Sequence, residues 1–183
     1  MREDFYENSV GPQKEKSQRI FYKFYTALFV LAIISFVLFL IIWSWVGDTG
    51  FVVLFAFSAV FAVVCFLVRR RLLTYFDYTF VSGEIRIIKV INGKTRRKFL
   101  IFDSKSIDQI GKVGSNSFEK LLNSPGYKVK MATPNGYNAE KQLYYVAATI
   151  DGIKQIVILE CEEKFLTFIV AHRGRNVIEK DYE

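Results

Sequence analysis

The chain has 183 residues, 51% of them hydrophobic, 16% aromatic and 23% charged, with a formal net charge of +7. The averages exclude an evenly mixed soluble composition, because apolar residues crowd between Ile20 and Val68 while the charges lie outside that stretch. Two cysteines, Cys65 and Cys161, and a single histidine, His172, are too few for a zinc site, and the surplus positive charge flanks the apolar segments instead of forming a nucleic-acid surface.

In chain order, residues 1–19 read as a cytosolic N-terminal tail and residues 20–71 as a transmembrane helical hairpin. Residues 24–46 and 51–68 carry no charged side chain. As helices at ~1.5 Å per residue they reach about 34 Å and about 27 Å, against a hydrocarbon core of ~30 Å. Backbone groups in hydrocarbon must be satisfied internally, so both runs are expected to be helical. Gly47-Asp48-Thr49-Gly50 supplies the reversal, and Trp43 and Trp45 beside it match an interfacial aromatic belt. Lys14, Lys16, Arg19 and Lys23 precede the first run; Arg69, Arg70 and Arg71 follow the second; the turn has only Asp48. Positive flanks stay inside, so the expected location is the cell membrane, crossed twice, with both termini cytoplasmic and Arg69, Arg70 and Arg71 as topology determinants. A cleaved signal peptide has a shorter apolar core, and a buried hairpin in a soluble protein needs a larger surrounding domain; neither fits. Ser58, Ala62 and Cys65 form one small-residue stripe on the second helix. It packs against the chain's own first helix or serves as a seam for a second copy or a protein partner.

Residues 72–183 read as a cytosolic β-rich domain. Phe76, Tyr78 and Phe80 alternate with polar residues as a half-buried strand requires. Ser82-Gly83 turns the chain, and the apolar phase slips from Ile85 and Ile87 to Ile88 and Val90, the mark of a β-bulge. Asn92-Gly93 and Asp151-Gly152 are two-residue hairpin turns. They join strands at 84–91 and 95–102, and at 142–150 and 154–160. Residues 111–126 are less regular, with Phe118–Asn123 expected as a helical turn under a loop, and residues 127–131 form a further strand. From Glu162 the period becomes helical, with Phe165, Phe168, Ile169 and His172 on one face and Gly174 as C-terminal cap.

This order of elements resembles a pleckstrin-homology-like (PH-like) barrel, and residues 77–113 are similar to the bacterial form of that fold. The matching positions are Tyr78, Gly83, Ile85, Ile107 and Ile110, and bacterial members are often preceded by paired transmembrane helices. The expected fold class is therefore a membrane α-helical hairpin plus an all-β or α+β cytosolic domain. The resemblance implies a six-to-seven-stranded antiparallel barrel of two near-orthogonal sheets, capped by a C-terminal helix, with an adaptor-like character.

The most conspicuous charge feature is Lys89, Lys94, Arg96, Arg97 and Lys98 around the Asn92-Gly93 turn. Read functionally, it is a contact for anionic lipid headgroups, gaining ~1 kcal/mol per cation near the surface. Read structurally, it is a solvated hairpin whose edge charges discourage aggregation. His172 is expected as a packed core residue, and Glu160, Glu162 and Glu163 as acids favoured at a helix N-terminus. Gly83, Gly111 and Gly114 lack the spacing of a phosphate loop. No catalytic residues, metal ligands or cofactor are nominated. The expected function is a non-enzymatic module presenting a PH-like domain at the inner leaflet to a protein segment or anionic lipid. The alternative is an accessory subunit of a larger membrane complex, docking through its transmembrane helices.

Overall fold

A computed structural model describes residues 5–180. Contacts divide the chain into a helical unit, residues 14–74, and a β unit made of residues 1–13 and 75–183.

In the helical unit, α1 (Glu15–Val46) and α2 (Thr49–Leu72) are antiparallel partners. Both outrun the charge-free stretches, because helix continues through the Lys- and Arg-bearing ends. α1 stops at Gly47, whose φ of 71° is left-handed and whose N–H donates to the Trp43 carbonyl at 2.8 Å. Asp48 then caps α2, accepting the Gly50 N–H at 2.8 Å. The rings of Phe29 and Phe66, and of Phe36 and Phe55, pair at centroid distances of 6.0 and 5.9 Å. The hydroxyls of Thr26, Ser44 and Ser58 donate back to helix carbonyls, so none is left unpaired. The outward surface is aliphatic and aromatic, with Val53, Phe57 and Val60 well exposed. Both helices are long and apolar enough to cross a membrane.

The β unit holds two four-stranded sheets. The first has the order β1-β2-β3-β4: β1 (Phe5–Val10), β2 (Thr74–Val81), β3 (Glu84–Ile91) and β4 (Thr95–Asp103). The second has the order β5-β7-β8-β6: β5 (Ile107–Lys112), β6 (Lys128–Met131), β7 (Tyr144–Ile150) and β8 (Ile153–Leu159). One core fills the space between their facing sides. Tyr78, Phe80, Ile85 and Ile87 meet Val146, Ala148, Val157 and Leu159, joined by Phe165, Leu166 and Ile169 of α4 (Glu163–Arg173). The other side of the second sheet buries Tyr145, Ala147, Ile156 and Ile158 with Phe118 of α3 (Asn116–Leu122). Both faces of β7 and β8 are therefore covered, which is why YYVAATI and QIVIL lack the polar alternation of a half-exposed strand.

Local expectations hold at the turns. Ser82, Asn92 and Asp151 have φ of 48°, 56° and 51°, each followed by a left-handed glycine; the loops at Ser82-Gly83 and Asp151-Gly152 have two residues, whereas Lys94 adds a third at Asn92-Gly93, where Ile91 pairs with Thr95. The register of β3 on β4 shifts between Ile87 and Ile88, where the apolar phase slips. Gly174 ends α4, its N–H on the Val170 carbonyl at 2.7 Å.

Four expectations are corrected. Among the described residues there are eight strands in two four-stranded sheets and no closed barrel. β6 pairs parallel with β8, because the chain passes through α3 before reaching the sheet edge. His172 is exposed at the end of α4, its ring edge-to-face with Phe80 at 5.9 Å and lying over Gly83, where a Cβ would meet Nε2 at 2.4 Å. The fourth correction concerns residues 1–19, which are not simply a tail. Phe5–Val10 pairs antiparallel with β2, from Phe5 opposite Val81 to Val10 opposite Phe76, and buries Tyr6 and Val10 in the core. The helical unit is thus an insertion between two adjacent strands of one sheet.

Because Val10 and Phe76 are register partners, their Cα atoms lie about 5 Å apart, and a short linker can replace the helices. Residues 5–13 joined directly to 75–180 are expected to unfold cooperatively in urea, whereas residues 75–180 alone, with an open β2 edge and no Tyr6 or Val10, are expected to show no cooperative transition.

Candidate functional site

The five basic residues lie on the β3–β4 hairpin, whose Asn92-Gly93 turn is closed by the Lys94 N–H on the Ile91 carbonyl at 3.2 Å. The register sets Lys89 opposite Arg97, Val90 opposite Arg96, and Ile88 opposite Lys98. Cross-strand partners share a face and successive residues alternate, so Lys89 and Arg97 project from one face and Arg96 and Lys98 from the other. The two sets are held differently. Lys89 is half-buried, with Nζ 5.8 Å from the centre of the Phe76 ring, which itself meets Phe99 edge-to-face at 5.3 Å. Arg96 approaches Asp77 at 3.8 Å, and Asp77 is buried and accepts from the Ser9 hydroxyl at 2.7 Å. Lys94, Arg97 and Lys98 are exposed and have no ion-pair partner among the described residues. β4 is also an outer strand of its sheet, so these cations line an unpaired backbone edge.

Ser58, Ala62 and Cys65 are the buried residues of α2, and with buried Ala32 they form its seam with α1. Arg69 folds its guanidinium over Phe29, Phe66 and Tyr22, at 4.9, 5.5 and 5.9 Å from the ring centres. That is a cation–π arrangement at the helix end, where a positive charge also suits the helix dipole. Arg70 and Arg71 complete the same last turn.

The acidic residues are arranged in ways the sequence does not announce. Glu160 is not at a helix N-terminus: it is 3% exposed, and Oε2 accepts from the Thr133 hydroxyl at 2.5 Å and from Asn135 Nδ2 at 2.8 Å. Glu162 and Glu163 do start α4, and each takes a tyrosine hydroxyl, Tyr6 at 3.1 Å and Tyr144 at 3.0 Å. Glu179, beyond the last helix, is 4% exposed. It accepts from the Lys112 N–H at 2.6 Å, the Ser115 hydroxyl at 2.6 Å and the Tyr145 hydroxyl at 2.9 Å. Three donors stabilise that buried charge and tie the C-terminal segment to β5, where the Glu179 N–H also reaches the Ile110 carbonyl at 2.9 Å. Gly111 makes the arrangement sterically feasible, since a Cβ there would lie 2.0 Å from the Glu179 carboxyl carbon. Only the Gly111 position hints at this in the sequence.

Burial pushes the Cys161 thiol up to about 12 and the Tyr6 hydroxyl to about 12, the latter helped by its bond to Glu162. Burial raises Tyr78 as well; its hydroxyl donates to the Ala132 carbonyl at 2.5 Å. These groups are structural: none is poised as a nucleophile or base near neutral pH. No group of three or more acidic, histidine or cysteine side chains able to hold a metal occurs among the described residues.

Two four-stranded sheets sharing a core with a C-terminal helix define a PH-like domain. A family model for the bacterial PH-like domain (DUF6106) matches residues 3–179, and the chain belongs to that family. The match runs through the helices, so strand, helical insertion and sheets form one family unit. Comparison with curated proteins and with solved structures found no match.

Gly111→Ala is expected to destabilise the β unit by about 1–3 kcal/mol or more in urea titration. Adding Glu179→Ala should recover part of that loss, so a double-mutant cycle gives less than the sum. The ionised forms of Cys161 and Tyr6 are disfavoured in the folded state, from ordinary values of 9.0 and 10.0. Stability should therefore be flat with respect to these groups below pH 9 and fall as pH rises towards about 12. Cys161→Ala should delay the onset of that fall, and the native Cys161 thiol should resist maleimide at pH 8.

Proposed function

We propose that this chain is a membrane-anchored, non-enzymatic interaction module whose helical hairpin crosses the bilayer twice and whose PH-like unit meets anionic headgroups at the inner leaflet through the β3–β4 hairpin. The observation that carries the reading is the insertion itself. β1 and β2 pair in one sheet, so the chain that leaves after β1 must return to the same side before β2. Two crossings satisfy this and one does not. The charges of Lys14, Lys16, Arg19, Lys23 and Arg69–Arg71, against a turn bearing only Asp48, orient both ends to the cytoplasm.

Anionic lipid is favoured over a protein segment by the three unpaired cations, Lys94, Arg97 and Lys98. At ~1 kcal/mol each near a charged surface, they contribute roughly two orders of magnitude in apparent affinity. The same charges guard the β4 edge, so the two roles reinforce one another. The alternative, an accessory subunit docking through its helices, would have to use the aliphatic outer face, since Ser58, Ala62 and Cys65 are taken up between α1 and α2.

The test uses the full chain in nanodiscs, with a fluorophore on Thr95→Cys and a headgroup-attached quencher. Quenching is expected to rise with the anionic lipid fraction, fall with salt, and be lost in Arg97→Glu/Lys98→Glu. Quenching that ignores lipid charge would rule out the headgroup reading, and a C-terminus labelled from outside intact cells would rule out the topology.

A further inference from the structure

Away from its contact with α2, α1 carries an apolar groove of about 570 Å³, lined by Tyr22, Lys23, Thr26, Ala27, Val30 and Leu31. That volume lies within the range of small-molecule sites, ~300–1,000 Å³. All six residues belong to α1, whose seam with α2 runs through buried Ala32. Five helical residues separate Ala27 from Ala32, a rotation of about 140°, so groove and seam face apart. Ala27 is the low point: it is small and exposed, and the longer Lys23 and Leu31 stand one turn to either side. The Thr26 hydroxyl donates to the Tyr22 carbonyl at 2.7 Å, so it adds no unpaired donor to the apolar lining.

Depth and charge change along the groove in the order of a phospholipid. Lys23 is the last charged residue before the uncharged stretch that begins at residue 24, so it stands at the cytosolic edge of the hydrocarbon. From Tyr22 to Leu31 the helix rises roughly 13 Å. One leaflet of a ~30 Å core is ~15 Å deep, so the groove runs the depth of one leaflet and ends near the midplane. At the charged end Arg69 lies on the Tyr22 ring, its guanidinium carbon 5.9 Å from the ring centre. Neither Lys23 nor Arg69 has a carboxylate partner among the described residues. Topology asks for positive charge at this end of the hairpin, but not for two unpaired cations at the head of an apolar groove. An ammonium and a guanidinium are the groups that hold phosphate oxygens.

We propose that this groove binds a single anionic phospholipid of the inner leaflet, its phosphate held by Lys23 and Arg69 and one acyl chain laid over Ala27 beside Val30 and Leu31. The inference rests on the reading that the hairpin crosses the bilayer, and it adds a discrete site on the helices to the headgroup contacts of the β3–β4 hairpin. A free phosphate would leave the apolar length of the groove unfilled. A second copy of the chain in the same orientation would bring its own Lys23 and Arg69 to this end, like charge against like, whereas a lipid phosphate neutralises them.

The test adds phosphatidylglycerol or phosphatidylcholine of identical acyl chains to the delipidated full-length protein in a non-ionic detergent and counts bound lipids by native mass spectrometry. A saturable adduct of one lipid per chain is expected, with phosphatidylglycerol bound about fivefold more tightly or better. Lys23→Gln should bring the two lipids within about twofold of each other. Ala27→Leu fills the groove with a residue of nearly equal helix propensity and should weaken both lipids by about fivefold. Val53→Leu, on the exposed surface of α2, is the control and should change neither. Equal binding of the two lipids by the wild type overturns the site, as does binding that Ala27→Leu leaves intact or a lipid-free two-copy species that Ala27→Leu abolishes. A protein that stays in the aqueous phase without detergent overturns the bilayer crossing and the site together; a detergent-dependent protein with no lipid preference overturns the site alone.

Discussion

Antiparallel pairing of β1 with β2 across the whole helical insertion is the contact on which both halves of the molecule depend. It supplies the sheet with Tyr6 and Val10, covers the β2 edge, and returns the chain after α2 to the place it left before α1. A flexible loop as long as residues 14–74 would cost roughly 4 kcal/mol in closure entropy before any strand contact formed. A hairpin of antiparallel helices removes most of that cost, because its own packing brings its two ends together. Small residues at Ala32, Ser58, Ala62 and Cys65 let the helices approach, so the close seam in one unit favours the strand pair in the other. The single family model spanning residues 3–179 is what such an interdependent arrangement leads one to expect.

Tyr6 carries this dependence further into the domain. Its ring packs on Phe165 and Phe168 at 5.5 and 5.7 Å, and its hydroxyl bonds Glu162 at the start of α4. A displacement of the chain entering α1 would therefore reach β1, then α4 and the shared core. Asn135 restrains the same connection from the other side through Gln13 and Gly11.

Charge placement separates structural acids from exposed bases. The buried glutamates sit among hydroxyl, amide and backbone donors, whereas the unpaired cations occupy the solvent side of an edge strand. The β-bulge decides how the basic hairpin is presented: by inserting Phe99 into β4 it turns Lys89 and Arg97 to one face and Arg96 and Lys98 to the other. A run that looks like one patch when written as Lys-Thr-Arg-Arg-Lys is two half-patches on a ribbon. Such a ribbon suits edgewise contact with a charged surface better than capture of a single phosphate.

Features governed by neighbours along the chain were legible without coordinates. The uncharged runs had to be helical, the two-residue turns needed left-handed backbone, the phase slip at Ile87–Ile88 required a bulge, and Gly174 ended the last helix. The resemblance placed the domain in the right family. Tertiary structure alone decided the rest, because each remaining feature depends on residues distant in sequence. Phe5–Val10 is short and half polar, and only the exposed β2 edge makes it a strand. β6 is parallel because α3 reverses the approach of the chain. His172 has the periodicity of a core position but lies at the rim of the sheet, where the core has ended. Glu160 and Glu179 look like ordinary acids in the sequence, and only the folding of Thr133 and Asn135 around one, and of Ser115 and Tyr145 around the other, makes them buried, hydrogen-bonded acceptors.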